Sequence, residues 1–261
     1  MKLFTFGCSY TNYYWPTWSD MLGYQFDEHQ NWAISGLGNN AIMQRVNEAL
    51  TQNKITAQDC VVVQFTDFNR LDLHSVGILP FGNWRAGGNI WMKTVEEPWI
   101  RNTWNEESYM YMSHNYISMT INFLKTLPCK WAVTSSVDVP GLLKDKEYVH
   151  NKDVYNEWVQ PIQPYADANE SPVINVTYRE QDPISFFTKR NKVDQDKHPS
   201  ISTHANWVQQ HLAPSLGIDT KDNEFLQHYL TNNELHVNMV DKNNLYYTKF
   251  KYEGNYQYFG F

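Results

Sequence analysis

The run Cys60–Phe65, with the sequence CVVVQF, constrains the fold more than any other segment of the chain. Its apolar residues are consecutive rather than alternating, which is typical of a strand buried on both faces within a parallel sheet. Parallel neighbours need crossover connections that are usually helices, so this strand predicts an α/β protein with helices on both sides of the sheet. We therefore place it at the centre of the sheet.

Shorter segments on either side fit the same alternation of strands and helices. Further strands are predicted at residues 2–6, 31–34, 131–135 and 173–176. Helices are predicted at residues 18–24, from Asn39 or Asn40 onward, at 114–127 and at 203–212. Either Asn39 or Asn40 is expected to cap the second of these helices. This alternation predicts right-handed crossovers and a three-layer α/β/α fold with a central parallel sheet of about five strands.

A chain of 261 residues is long enough for one sizeable α/β domain with insertions. We predict that this domain spans residues 1–217. Residues 218–261 are predicted to form a C-terminal extension, with a short helix near 224–230 and a hairpin near 245–250. Residues 71–111 interrupt the alternation with glycines, prolines and four tryptophans. A loop of this length in a compact domain is usually a lid or a binding loop.

Charge and composition exclude several classes of function. The formal net charge is −7 and no dense Lys/Arg block occurs, so nucleic acid is not an expected partner. No apolar run approaches the roughly 20 residues of a membrane span, and the first residues lack a signal-peptide core, which predicts a cytoplasmic protein without a membrane partner. The three cysteines and the dispersed histidines lack metal-like spacing, so no cofactor, metal or disulfide is expected. Nothing in the sequence predicts the oligomeric state.

Two segments far apart in the chain carry the residue types of nucleophilic catalysis. Ser9 follows the first predicted strand within GCSYT, and Asp196 and His198 lie two positions apart within DKHPS. A serine hydroxyl is a poor nucleophile until a base accepts its proton, and the imidazole base needs a carboxylate to hold its tautomer. Because α/β enzymes bind substrates where strands end, these three residues are candidate catalytic residues.

The order of these segments resembles that of the SGNH/GDSL hydrolase superfamily over about residues 1–215. GCSYT is similar to the family's first block, with Cys8 in place of the usual aspartate, and NWAISG, which ends at Gly36, is similar to the second block. We expect Cys8 to be a small, partly buried hydrophobic residue rather than a reactive thiol. First blocks of this short form also resemble those of phage-encoded and marine bacterial members.

The third and fifth blocks of the family are matched less completely. The third block keeps its asparagine as Asn69, within DFNR. The fifth block usually has an aspartate three residues before the histidine, but Gln195 occupies that position before His198. Asp196 is favoured as the carboxylate, and Asp194 is the alternative.

The resemblance implies a flavodoxin-like SGNH fold and the hydrolysis of carboxylic esters. Ser9 would attack the acyl carbon, His198 would accept its proton and later protonate the leaving alkoxide, and Asp196 would orient the imidazole. The oxyanion hole would consist of the Ser9 N–H, the Gly36 N–H and the Asn69 side chain.

The aromatic residues indicate the class of substrate. Aromatic residues make up 15% of the chain, and Trp84 and Trp91 lie in the insertion that follows Asn69. Sugar faces stack on aromatic side chains, so we expect these two tryptophans to bind a carbohydrate ester that loses a small acyl group such as acetyl. The alternative is a non-catalytic carbohydrate-binding module on the same fold. A phosphate-binding loop at Gly36 and Gly38 is disfavoured, because these glycines follow the second strand and lack an acidic partner for ribose.

Overall fold

The structure is a computed structural model of the 261-residue chain. It describes residues 1–13, 16–74, 84–89, 98, 102–136, 173–174, 201–231 and 255–258. None of the helices in these ranges combines the length and apolar character needed to cross a membrane.

The main sheet contains six parallel strands. They are β1 (Lys2–Phe6), β2 (Glu28–Asn31), β3 (Cys60–Phe65), β6 (Lys130–Ser135), β7 (Val173–Ile174) and β8 (Asn255–Tyr258), and they lie in the order β7-β6-β3-β1-β2-β8. Without β8, this is the flavodoxin-like order in which the second strand lies outside the first. The parallel α/β fold predicted from Cys60–Phe65 is confirmed, and β8 brings the sheet to six strands instead of five.

Helices cover both faces of the sheet. They are α1 (Trp18–Gly23), α2 (Asn39–Gln52), α3 (Glu106–Leu124), α4 (Ile201–Trp207) and α5 (Glu224–Thr231), and α4 continues through a π-helical segment, Val208–Leu212, into a last turn, Ala213–Ser215. Alternate residues of β3 face the two layers. Val62 packs with residues of α1, α4 and α5, whereas Val61 and Val63 pack with residues of α2 and α3. Burying one such side chain contributes about 1.5–3 kcal/mol, so the two apolar cores fix this strand at the centre of the sheet.

Strand β2 is the largest departure from the predicted strands. The prediction placed it at residues 31–34, but it spans Glu28–Asn31 and has the polar sequence EHQN. Polar side chains can be buried in a strand when each finds a hydrogen-bond partner. The His29 ring lies 2.9 Å from Thr5 Oγ1, and Gln30 Nε2 donates to Glu28 Oε1 at 2.7 Å. A pattern search that relies on apolar residues therefore misses this strand.

Each predicted helix has a counterpart among the described residues, but not always with the predicted bounds. The third helix begins at Glu106, eight residues before the predicted start at 114. The prediction that Asn39 or Asn40 caps α2 was wrong, because the N-cap residue is Gly38, which has no side chain that could supply a cap.

The C-terminal segment is integrated into the layers of the sheet. Phe225 and Leu226 of α5 are buried in the core formed with α1 and α4. Strand β8 pairs in parallel with β2, with Tyr258 opposite Asn31. The hairpin predicted near 245–250 lies outside the described residues, and the division of the chain at residue 217 stays a prediction.

Candidate active site at the carboxyl edge of the sheet

Three of the predicted site residues follow three neighbouring strands. Ser9 lies in the loop after β1, Gly36 in the loop after β2 and Asn69 in the loop after β3. Strand β1 pairs with β2 on one side and with β3 on the other. Because all three strands are parallel, their loops emerge at one edge of the sheet, with the Ser9 loop in the middle.

The first loop is a tight turn that only glycine at position 7 permits. A Cβ atom at Gly7 would collide with the Thr11 side chain and would lie 3.1 Å from the Gln64 carbonyl oxygen. The N–H groups of Thr11 and Asn12 both donate to the Cys8 carbonyl at 3.0 Å. The Thr11 hydroxyl then donates to Gln64 Oε1 at 2.8 Å, which explains the one polar residue in the apolar strand β3.

Ser9 lies within this turn and is nearly buried, with 5% of its surface exposed. Within the described ranges its side chain forms no hydrogen bond, so its hydroxyl is not committed to holding the turn together. Asp194, Asp196 and His198 lie outside the described residues. The triad therefore stays a prediction.

Cys8 is fully buried, whereas the sequence predicted a partly buried small hydrophobic residue, and its surroundings are polar. Burial disfavours the thiolate, yet the Arg70 charge, the Tyr10 N–H and the side-chain hydroxyls of Thr66 and Ser136 favour it more, and the pKa of the Cys8 thiol falls below its ordinary value. Thr66 follows β3 and Ser136 follows β6. The Cys8 side chain thus connects the first loop to the ends of two other strands.

The second loop is tied to the first by hydrogen bonds. Asn12 Nδ2 donates to the Ala33 carbonyl at 3.1 Å, and Asn31 Nδ2 donates to the Thr11 carbonyl at 3.3 Å. Gly36 has a φ of 88°, a left-handed conformation in which a side chain would be strained. The sequence requirement for glycine at this position therefore has a conformational basis that does not depend on catalysis.

The third loop contains a buried side-chain amide whose oxygen has no hydrogen-bond partner among the described residues. Asn69 is 8% exposed, its backbone N–H donates to Asp67 Oδ1 at 2.9 Å, and its buried side-chain Oδ1 has no hydrogen-bond partner in the described part of the chain. Leaving a buried polar atom unpaired costs about 1–3 kcal/mol, so Asn69 is a candidate functional residue.

Arg70, just before the insertion, and Asp72, within it, also reach this edge, and the sequence analysis selected neither of them as a site residue. An antiparallel pair, β4 (Arg70–His74) and β5 (Trp84–Asn89), covers the start of the insertion. The carboxylate of Asp72 accepts from the Gly38 N–H at 2.6 Å and from the Ala41 N–H at 2.9 Å, and Arg70 Nη1 donates to the Leu37 carbonyl at 3.1 Å. Residues 70–74 read RLDLH, an alternation typical of a half-buried strand. This alternation is the sequence signal that could have predicted strand β4 and its two site residues.

A shallow groove opens beside Asn69, between β4, α3 and the start of α2. Its lining includes Phe68 and Arg70, which flank Asn69, and Tyr109 and Tyr116 of α3. Burial raises the pKa of both tyrosine hydroxyls, and the Asp72 carboxylate raises that of Tyr116 further. Both side chains therefore stay protonated at neutral pH and can donate hydrogen bonds.

The predicted aromatic contacts are placed only in part. Trp84 is the first residue of β5, where its backbone lies opposite His74. Trp91 lies outside the described residues. Among the described residues, no three His, Cys, Asp or Glu side chains are grouped closely enough to hold a metal ion.

Comparison with known proteins gives one distant structural similarity. No protein-family model and no curated protein matches the chain. The chain is similar to the crystal structure of a GDSL-like lipase from Bacteroides thetaiotaomicron, with 14% sequence identity, 83% of this chain and 87% of that chain covered, and a TM-score of 0.41. At this TM-score the similarity assigns neither a fold nor a function to the chain. The fold is therefore assigned from the strand order, and the function is inferred from the residues of the site.

Proposed function

We propose that the chain is a serine hydrolase of carboxylic esters that removes a small acyl group such as acetyl from a carbohydrate. The observation that carries the proposal is the convergence of the Ser9, Gly36 and Asn69 loops at the ends of three adjacent parallel strands, with the first two loops hydrogen-bonded to each other. Residues that act on one carbonyl group must share one edge of the sheet, and these loops do.

In the proposed reaction, Ser9 Oγ attacks the acyl carbon while His198 accepts its proton. Asp196 fixes the imidazole tautomer and stabilises the imidazolium. Collapse of the tetrahedral intermediate breaks the bond to the sugar oxygen, and His198 protonates the leaving alkoxide. A water molecule, activated by the same imidazole, then hydrolyses the acyl-enzyme and regenerates Ser9.

The oxyanion would be held by the Ser9 N–H, the Gly36 N–H and Asn69 Nδ2. Each donor of this kind is worth about 3–4 kcal/mol of barrier. Among the described residues Asn69 Oδ1 has no hydrogen-bond partner, so no such contact fixes the amide in one orientation, and Nδ2 is available to donate to an oxyanion.

The position of α4 supports His198 as the base. This helix begins at Ile201, three residues after His198 in the sequence, and packs against α1 in the core next to β1. Helices that follow parallel strands run back along the sheet, so their first residues lie at the carboxyl edge, where Ser9 lies.

The carbohydrate preference rests on the aromatic residues of the insertion and α3. Trp84 and Trp91 were selected from the sequence, and Tyr109 and Tyr116 line the groove beside Asn69. Aromatic faces with neighbouring hydroxyl donors suit the apolar faces and hydroxyl groups of a sugar ring.

The test is hydrolysis of p-nitrophenyl acetate by the purified chain and by Ser9→Ala. We expect Ser9-dependent release of p-nitrophenol and covalent labelling of the native chain by a fluorophosphonate. Ser215→Ala, which removes an exposed hydroxyl that bonds the His211 carbonyl, is the matched control and should keep full activity. Binding of acetylated oligosaccharide without Ser9-dependent hydrolysis would instead favour the non-catalytic carbohydrate-binding module.

A further inference from the structure

The loop that carries Gly36 is held in place by two side chains of strand β4. Arg70 Nη1 donates to the Leu37 carbonyl, and the Asp72 carboxylate accepts from the N–H groups of Gly38 and Ala41. The Asn40 backbone N–H also favours the ionised form of the Asp72 carboxyl, whose pKa burial raises. Three backbone groups of this loop, the Leu37 carbonyl and the N–H groups of Gly38 and Ala41, are thus bonded by β4, which lies more than 30 positions later in the chain.

This arrangement replaces the usual local cap of a helix. The first N–H groups of a helix have no partner within it, and a Ser, Thr, Asp or Asn at the N-cap normally supplies one. The N-cap of α2 is Gly38, which has no side chain, and a Cβ atom there would lie 2.7 Å from Asp72 Oδ2. Glycine at position 38 therefore gives the Asp72 carboxylate room to reach the helix end, where its negative charge also suits the helix dipole.

The neighbouring asparagine is used for a different contact. Asn39 Oδ1 accepts from the Thr66 N–H and Asn39 Nδ2 donates to the Thr66 carbonyl, both at 2.8 Å. Asn39 thus binds the start of α2 to the loop after β3. The direction of the Gly36 peptide is then determined by contacts on both sides, with Asn12 bonding the Ala33 carbonyl before it and Arg70 and Asp72 bonding the residues after it.

We propose that Arg70 and Asp72 are positioning residues that aim the Gly36 N–H at the oxyanion. This inference rests on the proposed function. An oxyanion donor acts through its geometry, so a small rotation of the Gly36 peptide would weaken the transition state far more than substrate binding. The insertion would then have a part in the chemistry through its first strand, in addition to binding the substrate.

The experiment compares p-nitrophenyl acetate with the corresponding thionoester, O-(4-nitrophenyl) thionoacetate, in Asp72→Asn and in the native chain. Sulfur accepts hydrogen bonds poorly, so the ester-to-thionoester ratio of kcat/KM reports how well the oxyanion hole works. In Asp72→Asn the amide keeps one acceptor oxygen and turns an NH₂ group towards backbone N–H donors. We expect kcat for the ester to fall by about ten- to a hundredfold with KM nearly unchanged, less than the loss of a whole donor, and the ratio to fall with it.

The matched control removes a helix cap elsewhere. Asn105 Oδ1 accepts from the Ser108 N–H at 2.9 Å at the exposed start of α3, so Asn105→Ala loses a cap without touching residues 36–41. Its ratio should equal that of the native chain. Arg70→Gln, which removes the guanidinium contact to the Leu37 carbonyl together with the positive charge near Cys8 and Asp72, provides a second test and replaces Asp72→Asn if that variant does not fold.

The outcomes separate this inference from the proposed function. Suppose that the native chain shows Ser9-dependent activity and that Asp72→Asn and Arg70→Gln keep its ester-to-thionoester ratio of kcat/KM. This result would overturn the positioning role and leave the hydrolase proposal standing. Lower activity with an unchanged ratio would also overturn it, because a merely structural defect reduces both substrates equally. A native chain without Ser9-dependent hydrolysis would overturn both.

Discussion

Two sets of residues in this protein contain a buried or nearly buried serine, and they differ in how completely their polar side chains are paired. The core cluster is Thr5, Ser19 and His29. Ser19 Oγ lies 2.7 Å from Thr5 Oγ1 and 3.1 Å from His29 Nε2, and all three residues are sealed between β1, β2 and α1. The edge cluster is Ser9, Gly36 and Asn69 at the carboxyl ends of the strands. There the Ser9 and Asn69 side chains form no hydrogen bonds within the described residues.

This difference shows why a serine near a histidine is a weak sign of catalysis by itself. Ser19 and His29 are in contact, but His29 is 1% exposed and Ser19 is fully buried, so no substrate reaches them. Their contacts allow the polar strand β2 to pack beside β1. Ser9 has the opposite properties, since its hydroxyl is uncommitted and its loop lies at the edge where α/β proteins bind ligands. The paired cluster contributes to holding the fold together, and the unpaired side chains at the strand ends are those for which we propose a catalytic role.

The largest expected effect is the loss of activity when the proposed nucleophile, Ser9, or the proposed base, His198, is removed. Ser9→Ala and His198→Ala should each lower kcat by about 10⁴-fold or more, because members of a triad act as a unit. Both variants should have the same Tm as the native chain, since neither side chain is expected to stabilise the fold. Fluorophosphonate labelling should also be lost in His198→Ala. A folded variant of either kind with a sizeable fraction of the native rate would refute the mechanism.

The next effect distinguishes the two candidate carboxylates. Asp196→Asn should lower kcat by about 10⁴-fold, because an amide partner stabilises the wrong imidazole tautomer. Asp194→Asn serves as the paired control and should have little effect. The pair is compared by steady-state hydrolysis of p-nitrophenyl acetate. The reverse ranking would assign the role to Asp194.

The third effect concerns the unpaired amide of the edge cluster. Asn69→Ala should lower kcat by about 10²–10³-fold with little change in KM, because an oxyanion donor acts mainly in the transition state. Stability should stay constant or rise, since the substitution removes a buried oxygen without a described partner. A variant that loses stability but keeps its kcat would show that Asn69 belongs with the structural cluster.

The core cluster should respond in the opposite way. Ser19→Ala leaves Thr5 and His29 short of a buried partner, and we expect a loss of about 1–3 kcal/mol in the free energy of unfolding. Its kcat on p-nitrophenyl acetate should equal that of the native chain. Urea unfolding followed by tryptophan fluorescence measures the first quantity. A catalytic defect without a stability defect would remove the distinction between the two clusters.

The same contrast explains how much of the structure the sequence predicts. Strand β3 and the layers around it follow from a local pattern, the apolar run Cys60–Phe65, and Ser9 and Gly36 follow from short motifs that occupy turns only glycine permits. Strand β2 and the cap of α2 do not, because they depend on partners distant in sequence. His29 pairs with Ser19 of a helix, and Gly38 pairs with Asp72, 34 positions later. A pairing of this kind leaves no periodic signal in either segment.

The smallest expected effect tests whether the insertion extends the edge cluster into a sugar site. Trp84→Ala or Trp91→Ala should lower kcat/KM for a bulky acetylated sugar by roughly fivefold, the value of about 1 kcal/mol of aromatic stacking. The rate on p-nitrophenyl acetate should not change, because that ester is too small to use contacts remote from the acyl group. Tyr24→Ala is the matched control. Tyr24 is an exposed aromatic residue that stacks on Phe225. Three residues later, the Asp27 N–H donates to the Met1 carbonyl, which places this segment at the amino end of β1, opposite the carboxyl edge. Equal losses of kcat/KM on both substrates, or no loss on either, would show that these tryptophans do not contact the substrate. The main physical support for a carbohydrate substrate would then be removed, while the proposed ester hydrolysis by Ser9 would not be affected.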